Sequence, residues 1–214
     1  SLLSADDFIT RILQQRLKAR HIVVGEDFAF GHKRSGTVAT LKAAADKGLF
    51  DVTVIKTVSA PKGLAYSSTA IRKHVQHAEF DAAEKLLGWR WQMEAPVLHG
   101  DKRGRTLGFP TANQDISNYI QMPFGIYAVR VTIEGESAER KGVASFGTRP
   151  MFRAAQPILE TFIFDCAEEI YGKTMRVSPV KLLRPEMSFD STDALIAQMK
   201  EDCIAAKAVL KSPL

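Results

Sequence analysis

The stretch FGIYAVRVTIEG, Phe124–Gly135, is short, rich in strand-favouring residues and closed by a glycine. Four segments of the same kind surround it: MEAPVLHG (93–100), RKGVASFG (140–147), PILETFIFD (157–165) and MRVSPVKLLRP (175–185). Short strands at regular spacing, punctuated by Gly and Pro, predict a small all-β barrel or sandwich. A final helix is expected from about Ser191. Its apolar face would be Leu195, Ile196, Met199, Cys203, Ala206 and Leu210, with Ser191 or Thr192 as N-cap.

Upstream of Trp91 the pattern is different. Ser4 stands three residues before Asp7, a capping-box-like start, and Phe8, Ile12, Leu13 and Leu17 mark one helical face. HIVVG (21–25) reads as a buried parallel strand and DVTVIKTV (51–58) as a second strand. Between them a helix is expected from about Arg34 to Lys47, ended by Gly48. SAPKG (59–63) reads as a loop, and two short helices are expected between Thr69 and Leu87, stopped at Gly88. This alternation predicts an open α/β sheet. Two domains follow, 1–90 and 91–214, with the boundary near residues 88–91.

Composition is that of an ordinary globular protein, 45% hydrophobic and 25% charged over 214 residues. No apolar run approaches the ~20 residues of a membrane helix, and no signal peptide opens the chain. Cys166 and Cys203 are isolated, so neither a disulfide framework nor a zinc site is expected, and a reducing cytoplasm is the expected compartment. The net charge of +5 lies wholly in residues 1–90, while residues 91–214 are neutral. That distribution suits a phosphate-bearing small ligand and argues against a nucleic-acid-binding barrel, which needs exposed aromatics among Lys and Arg. The chain contains no GxxxxGK[ST], GxGxxG, HExxH or zinc spacing.

Four segments can carry chemistry. In GRTLGFPTAN (104–113), Pro110 keeps Phe109 extended, and Gly104 and Gly108 let the backbone bend. Backbone N–H groups in such a turn can form an anion-binding nest. Thr111 and Asn113, two apart, would point to one side and offer two hard oxygens to Mg²⁺. The plainer alternative is an arched strand start whose Thr and Asn bond their own backbone. In PILETFIFD, Ile158, Glu160, Phe162 and Phe164 share one face, and both faces are mostly apolar. Burial of Glu160 would disfavour its charged form, as suits a general base. Alternatively it pairs with an arginine such as Arg149. In YSSTAIR (66–72), Ser67, Ser68 and Thr69 precede a helix and Arg72 lies one turn in, a phosphate site or simply an N-cap. GEDFAFGHKRSG (25–36) follows the first strand, where open sheets bind ligands, and Phe28 and Phe30 would contact a flat ring or pack the loop. His74 and His77 read as a solvated helix face.

Together these segments resemble the bacterial bifunctional riboflavin kinase/FAD synthetase family over nearly the whole chain. GDKRGRTLGFPTAN resembles the kinase's Gly-rich loop with its PTAN motif. FGIYAV, GVASFGTRP, LETFIFD, IYGK and LRPEMSFDS follow in the family's order. GEDFAFGHKRSG and SSTAIR resemble late motifs of its FMN adenylyltransferase domain. The resemblance implies a Rossmann-like nucleotidyltransferase fragment, then a small closed antiparallel barrel with a C-terminal helix. It implies that Thr111 and Asn113 hold the Mg²⁺ of MgATP, that Glu160 deprotonates the riboflavin 5′-hydroxyl, and that Arg184, Glu186 and Phe189 lie near the flavin. Gly100, Lys102, Gly104, Arg105 and Gly108 would cover ATP phosphates, and Ser67, Ser68, Thr69 and Arg72 would hold phosphates in the other domain. The expected substrates are riboflavin, FMN and ATP, with no nucleic-acid or membrane partner. Tyr66 and Met151 depart from the family's Ile and Thr. The family's opening strand and H-x-G-H motif are not in the sequence, so a first domain lacking its front half is expected, and with it loss of FAD synthesis. The alternatives from other classes are a non-catalytic flavin-binding module and an OB-type nucleic-acid-binding barrel.

Overall fold

A computed structural model describes residues 2–56, 66–100, 103–148 and 157–211. They form two compact units, Ser1–Tyr66 and Ser67–Leu214.

In the first unit, Ser4 caps α1 (Ala5–Asp7), its hydroxyl accepting from Asp7 N at 3.0 Å. The helix widens into a π-type continuation over Phe8–Arg16, where Leu17 N donates five residues back to Ile12 O at 2.9 Å. The wider turn changes the buried face. Ile9 and Leu13 are buried, whereas Leu17, expected on that face, is 63% exposed. β1 (His21–Gly25) and β4 (Asp51–Ile55) pair in parallel, His21 opposite Asp51. This sheet was expected to be buried on both faces, but only alternate residues are half-buried. Val23 and Ile55 stand on the exposed face, because among the described residues helices cover the two strands on one side only. Between them, β2 (Ala29–Phe30) pairs with β3 (Gly36–Thr37), and α2 (Val38–Asp46) starts later than expected, at a Thr37–Thr40 capping box. Phe28 stacks on Phe30 at 5.5 Å within this unit's core, the packing alternative for that loop.

The second unit opens with α3 (Ser68–Gln76) and α4 (Phe80–Leu87), the latter ended by Gly88 at φ 82°. Both were expected to belong to the first domain. Here Val75, Phe80 and Ala83 join the core of the barrel strands, and Phe80 meets Tyr127 edge-on at 6.0 Å. The barrel strands are β5 (Met93–Pro96), β6 (Ala112–Asp115), β7 (Gly125–Ile133), β8 (Arg140–Thr148), β9 (Pro157–Ile163) and β10 (Thr174–Arg184). They form an antiparallel sheet of order β5-β10-β7-β8-β9-β6. Its two edges nearly close. Leu98 N donates to Asn113 O at 2.8 Å, and Gln114 Nε2 donates across the seam to Ala95 O and Met175 O, each at 2.7 Å. Closure removes the unpaired edges that an open sheet exposes. α5 (Arg103–Thr106) is a single turn before β6, and α6 (Thr192–Val209), capped by Ser191, lies on the outer face. Ala206 and Leu210 pack there with Ala128 and Phe164.

Candidate active site

Because side chains alternate across a strand, one register step separates the inside of the barrel from its outside. Ala112, Thr161, Ala144 and Tyr127 stand opposite one another across β6, β9, β8 and β7, all buried inside. The adjacent row faces outward: Asn113 opposite Glu160, Glu160 opposite Ser145, Ser145 opposite Ile126, and Ile126 opposite Arg184. Leu182 and Arg184 are two apart yet lie in different rows, because a bulge on β10 inserts an extra residue between them.

Glu160, Ser145, Ile126 and Arg184 of the outward row, though not Asn113, line a cavity of about 330 Å³ under α6. Gly104, Thr111, Glu160, Arg184, Glu186 and Phe189, each expected at the site from sequence, all line it. Its apolar surface comes from Leu107, Phe109, Ile126, Val143, Phe162 and Met187, and from Leu195 and Met199 of α6. A mostly apolar cavity with a few polar groups on its wall suits a small-molecule ligand. Phe109 meets Phe162 edge-on at 5.3 Å, which ties the Gly-rich loop to β9.

Glu160 is half-buried at the cavity wall, not enclosed between two buried faces as expected. Leu159, Thr161 and Ile163 fill the interior, while Glu160 lines the cavity. Arg149, its possible partner, and Met151 lie outside the described residues, as does Lys102. Thr111 immediately precedes β6 and lines the cavity, whereas Asn113, within β6, does not. Asn113 Nδ2 also donates to Thr111 O at 3.4 Å, and its side chain is packed so close to Gly100 that a Cβ there would collide with it. Gly104 has a similar constraint: a Cβ would strike the Phe109 carbonyl oxygen and come 3.5 Å from Thr111 Oγ1. A Cβ on Gly147 would meet the Glu186 carboxylate.

The expected anion nest is not formed at 107–109. Leu107 N and Phe109 N donate to Gly104 O at 3.2 and 2.8 Å, and Gly108 N to Arg105 O at 3.2 Å, so these N–H groups close a helical turn. Gly108, at φ 85°, lets the chain leave that turn. Arg105 reaches outward to Glu169 at 3.8 Å. At the start of α3, Ser67 Oγ accepts from Thr69 N at 3.2 Å and Arg72 Nη1 donates to Ser68 Oγ at 3.1 Å. That is an N-cap and its neighbours, apart from the cavity's lining residues. Among the described residues, no three His, Cys, Asp or Glu side chains cluster to hold a metal.

Two contributors were missed in the sequence. Ser145 is unremarkable in RKGVASFG until register places it beside Glu160. Asp202 had a visible signal, a carboxylate three residues after Met199 on the helix face read as apolar.

A family model described as riboflavin kinase matches residues 87–210. The chain belongs to the riboflavin kinase family. An FAD synthetase family model matches residues 1–70. Bifunctional riboflavin kinase/FMN adenylyltransferases from Listeria monocytogenes and Escherichia coli K12 are each 37% identical, over 94% and 96% of this chain. The chain spans 63% and 65% of their lengths. A solved Streptococcus pneumoniae structure, described as a macrolide-efflux protein, matches 94% of this riboflavin kinase family chain. The match has a TM-score of 0.70 and 34% identity, and covers 64% of that protein. Among the described residues, no helix is long and apolar enough to cross a membrane.

Proposed function

We propose that this chain transfers the γ-phosphoryl group of ATP to the riboflavin 5′-hydroxyl, giving FMN and ADP. The observation that carries this reading is the outward row, which sets Glu160 between Asn113 and Ser145 on the wall of an apolar slot. The isoalloxazine ring occupies the slot beneath α6, near Arg184, Glu186 and Phe189. The ribityl chain then runs toward Glu160, whose carboxylate takes the 5′-hydroxyl proton as that oxygen bonds to phosphorus and the β,γ-bridging oxygen departs with ADP. Such transfer depends on positioning and charge neutralisation more than on covalent participation by the protein.

Thr111 Oγ and Asn113 Oδ1 suit Mg²⁺, which prefers oxygen donors and takes its remaining ligands from phosphates and water. When bound, the ion neutralises charge on the phosphates. Gly100, Gly104, Arg105, Gly108 and Lys102 belong to the loop proposed to cover those phosphates. The first unit is proposed as part of a Rossmann-like FMN adenylyltransferase domain; Ser67, Ser68, Thr69 and Arg72, expected to hold its phosphates, lie in the second unit, at the start of the helix pair packed on the barrel strands. The five histidines fall in no H-x-G-H pattern, so FAD is not an expected product of this chain.

Incubation with riboflavin, ATP and Mg²⁺, followed by mass analysis, tests the reading. FMN and ADP in equal amounts are expected. Riboflavin bound but unchanged would leave only a flavin-binding module. Substantial FAD and pyrophosphate would overturn the expectation that this chain makes no FAD.

A further inference from the structure

The guanidinium of Arg184, at the end of the outward row, is held on two sides. Nε donates to Asp202 Oδ1 at 2.8 Å and Nη2 to Asp202 Oδ2 at 2.7 Å, a two-bond fork that fixes direction as well as distance. Nη1 donates to Pro185 O at 3.0 Å, and the guanidinium carbon lies 5.8 Å from the Phe189 ring centroid. The two side chains are 15% and 7% exposed, and both line the cavity. Gln198, one turn earlier on α6, donates to Asp202 Oδ1 at 3.2 Å.

The helix is anchored unevenly. Asp202, Ala206 and Leu210 are buried, whereas none of residues 192–201 is. Counted from the N-terminus of α6, the fork is therefore its first buried attachment to the barrel. Leu195 and Met199, which form cavity wall, precede that attachment within two turns. A fork at this place sets how close the wall stands to the floor, and which edge of the guanidinium the slot presents.

We propose that Asp202 is a positioning residue for the flavin, acting through Arg184: it fixes the α6 wall and the guanidinium against the slot and so governs riboflavin affinity, not the phosphoryl step. This rests on the riboflavin kinase reading above. The opposing possibility is an ion pair that only ties a helix down.

The test uses the full chain with Asp202→Asn, Arg184→Lys and the double variant. Riboflavin Kd is read from quenching of its fluorescence, alongside riboflavin KM, MgATP KM, kcat and melting temperature. Each single variant is expected to raise riboflavin Kd and KM on the order of 10-fold, with kcat and MgATP KM within about twofold. The double variant should be no worse than the weaker single, since both changes remove one fork. Unchanged riboflavin Kd with a lowered melting temperature, additive singles, or loss of the fold in both singles would each overturn the proposal. If Asp202→Asn alone fails to fold, Arg184→Lys carries the same readout. Wild-type chain that binds riboflavin without making FMN refutes the kinase reading, yet the Kd comparison still decides the fork. Wild-type chain that binds no riboflavin refutes both.

Discussion

Glu160 and Thr161 are neighbours in sequence but stand on opposite sides of the barrel wall. The inward row, Ala112–Thr161–Ala144–Tyr127, is fully enclosed, and burial raises the Tyr127 pKa well above that of an ordinary phenol while its hydroxyl donates to the Pro123 carbonyl. The outward row runs Asn113–Glu160–Ser145–Ile126–Arg184, and its carboxylate, hydroxyl and guanidinium groups line a cavity under α6. Inside, polar atoms are a burden unless paired. Outside, under α6, they can be aimed at a ligand. One strand thus supplies stability from one face and chemistry from the other, and a substitution should act on one property with little effect on the other.

Five substitutions would break or sharpen that contrast. The largest effect belongs to Glu160→Gln, expected to lower kcat by ~10²–10⁴-fold, the usual cost of losing a general base. Riboflavin affinity and melting temperature should stay near wild type. A near-normal kcat with a lower melting temperature would move Glu160 into the structural class. One residue away, Leu159→Ala should do the converse, costing about 2–5 kcal/mol of stability by urea unfolding through a cavity in the interior. Riboflavin KM should not change, and a large rise in KM without loss of stability would contradict the division. Asn113→Ala, or Thr111→Ala, should raise the MgATP KM on the order of 10-fold, about 1.4 kcal/mol. Titration of MgATP into each checks this, and unchanged affinity in both would remove the metal assignment. The smallest effect is expected from Thr161→Val. Thr161 Oγ1 is buried with no hydrogen-bond partner among the described residues, so the isosteric change should stabilise the chain by about 1 kcal/mol or less with activity unchanged. Lost activity there would mean that the interior row reaches the chemistry.

Much of the site was legible because short-range rules govern it. Gly104, Pro110, Thr111 and Asn113 are close in sequence, and Gly104 and Thr111 both line the cavity. Ser191, Ser67 and Ser4 each cap a helix, since capping is decided within three residues. The missed elements are those where a local rule met a longer-range constraint. Leu17 left its expected face because the first helix widens, and β1 is half-exposed because, among the described residues, cover comes from one side only. The N–H groups of residues 107–109, open to a nest by composition, close a turn instead.

The sequence by itself determined the long barrel strands and the final helix, the family, and the alternation that sends Glu160 and Leu159 to different faces. Those are properties of neighbouring residues and of motifs written contiguously. Only the tertiary structure decided that Ser145 stands beside Glu160, because cross-strand register is set by pairing between segments distant in the chain. Only it decided that Arg184 leaves the row of Leu182, since a bulge is a mismatch between two strands and not a property of one. It also turned Asp202 from an interruption of an apolar helix face into the partner of Arg184, because a buried carboxylate is tolerable only where the fold brings a matching cation to it.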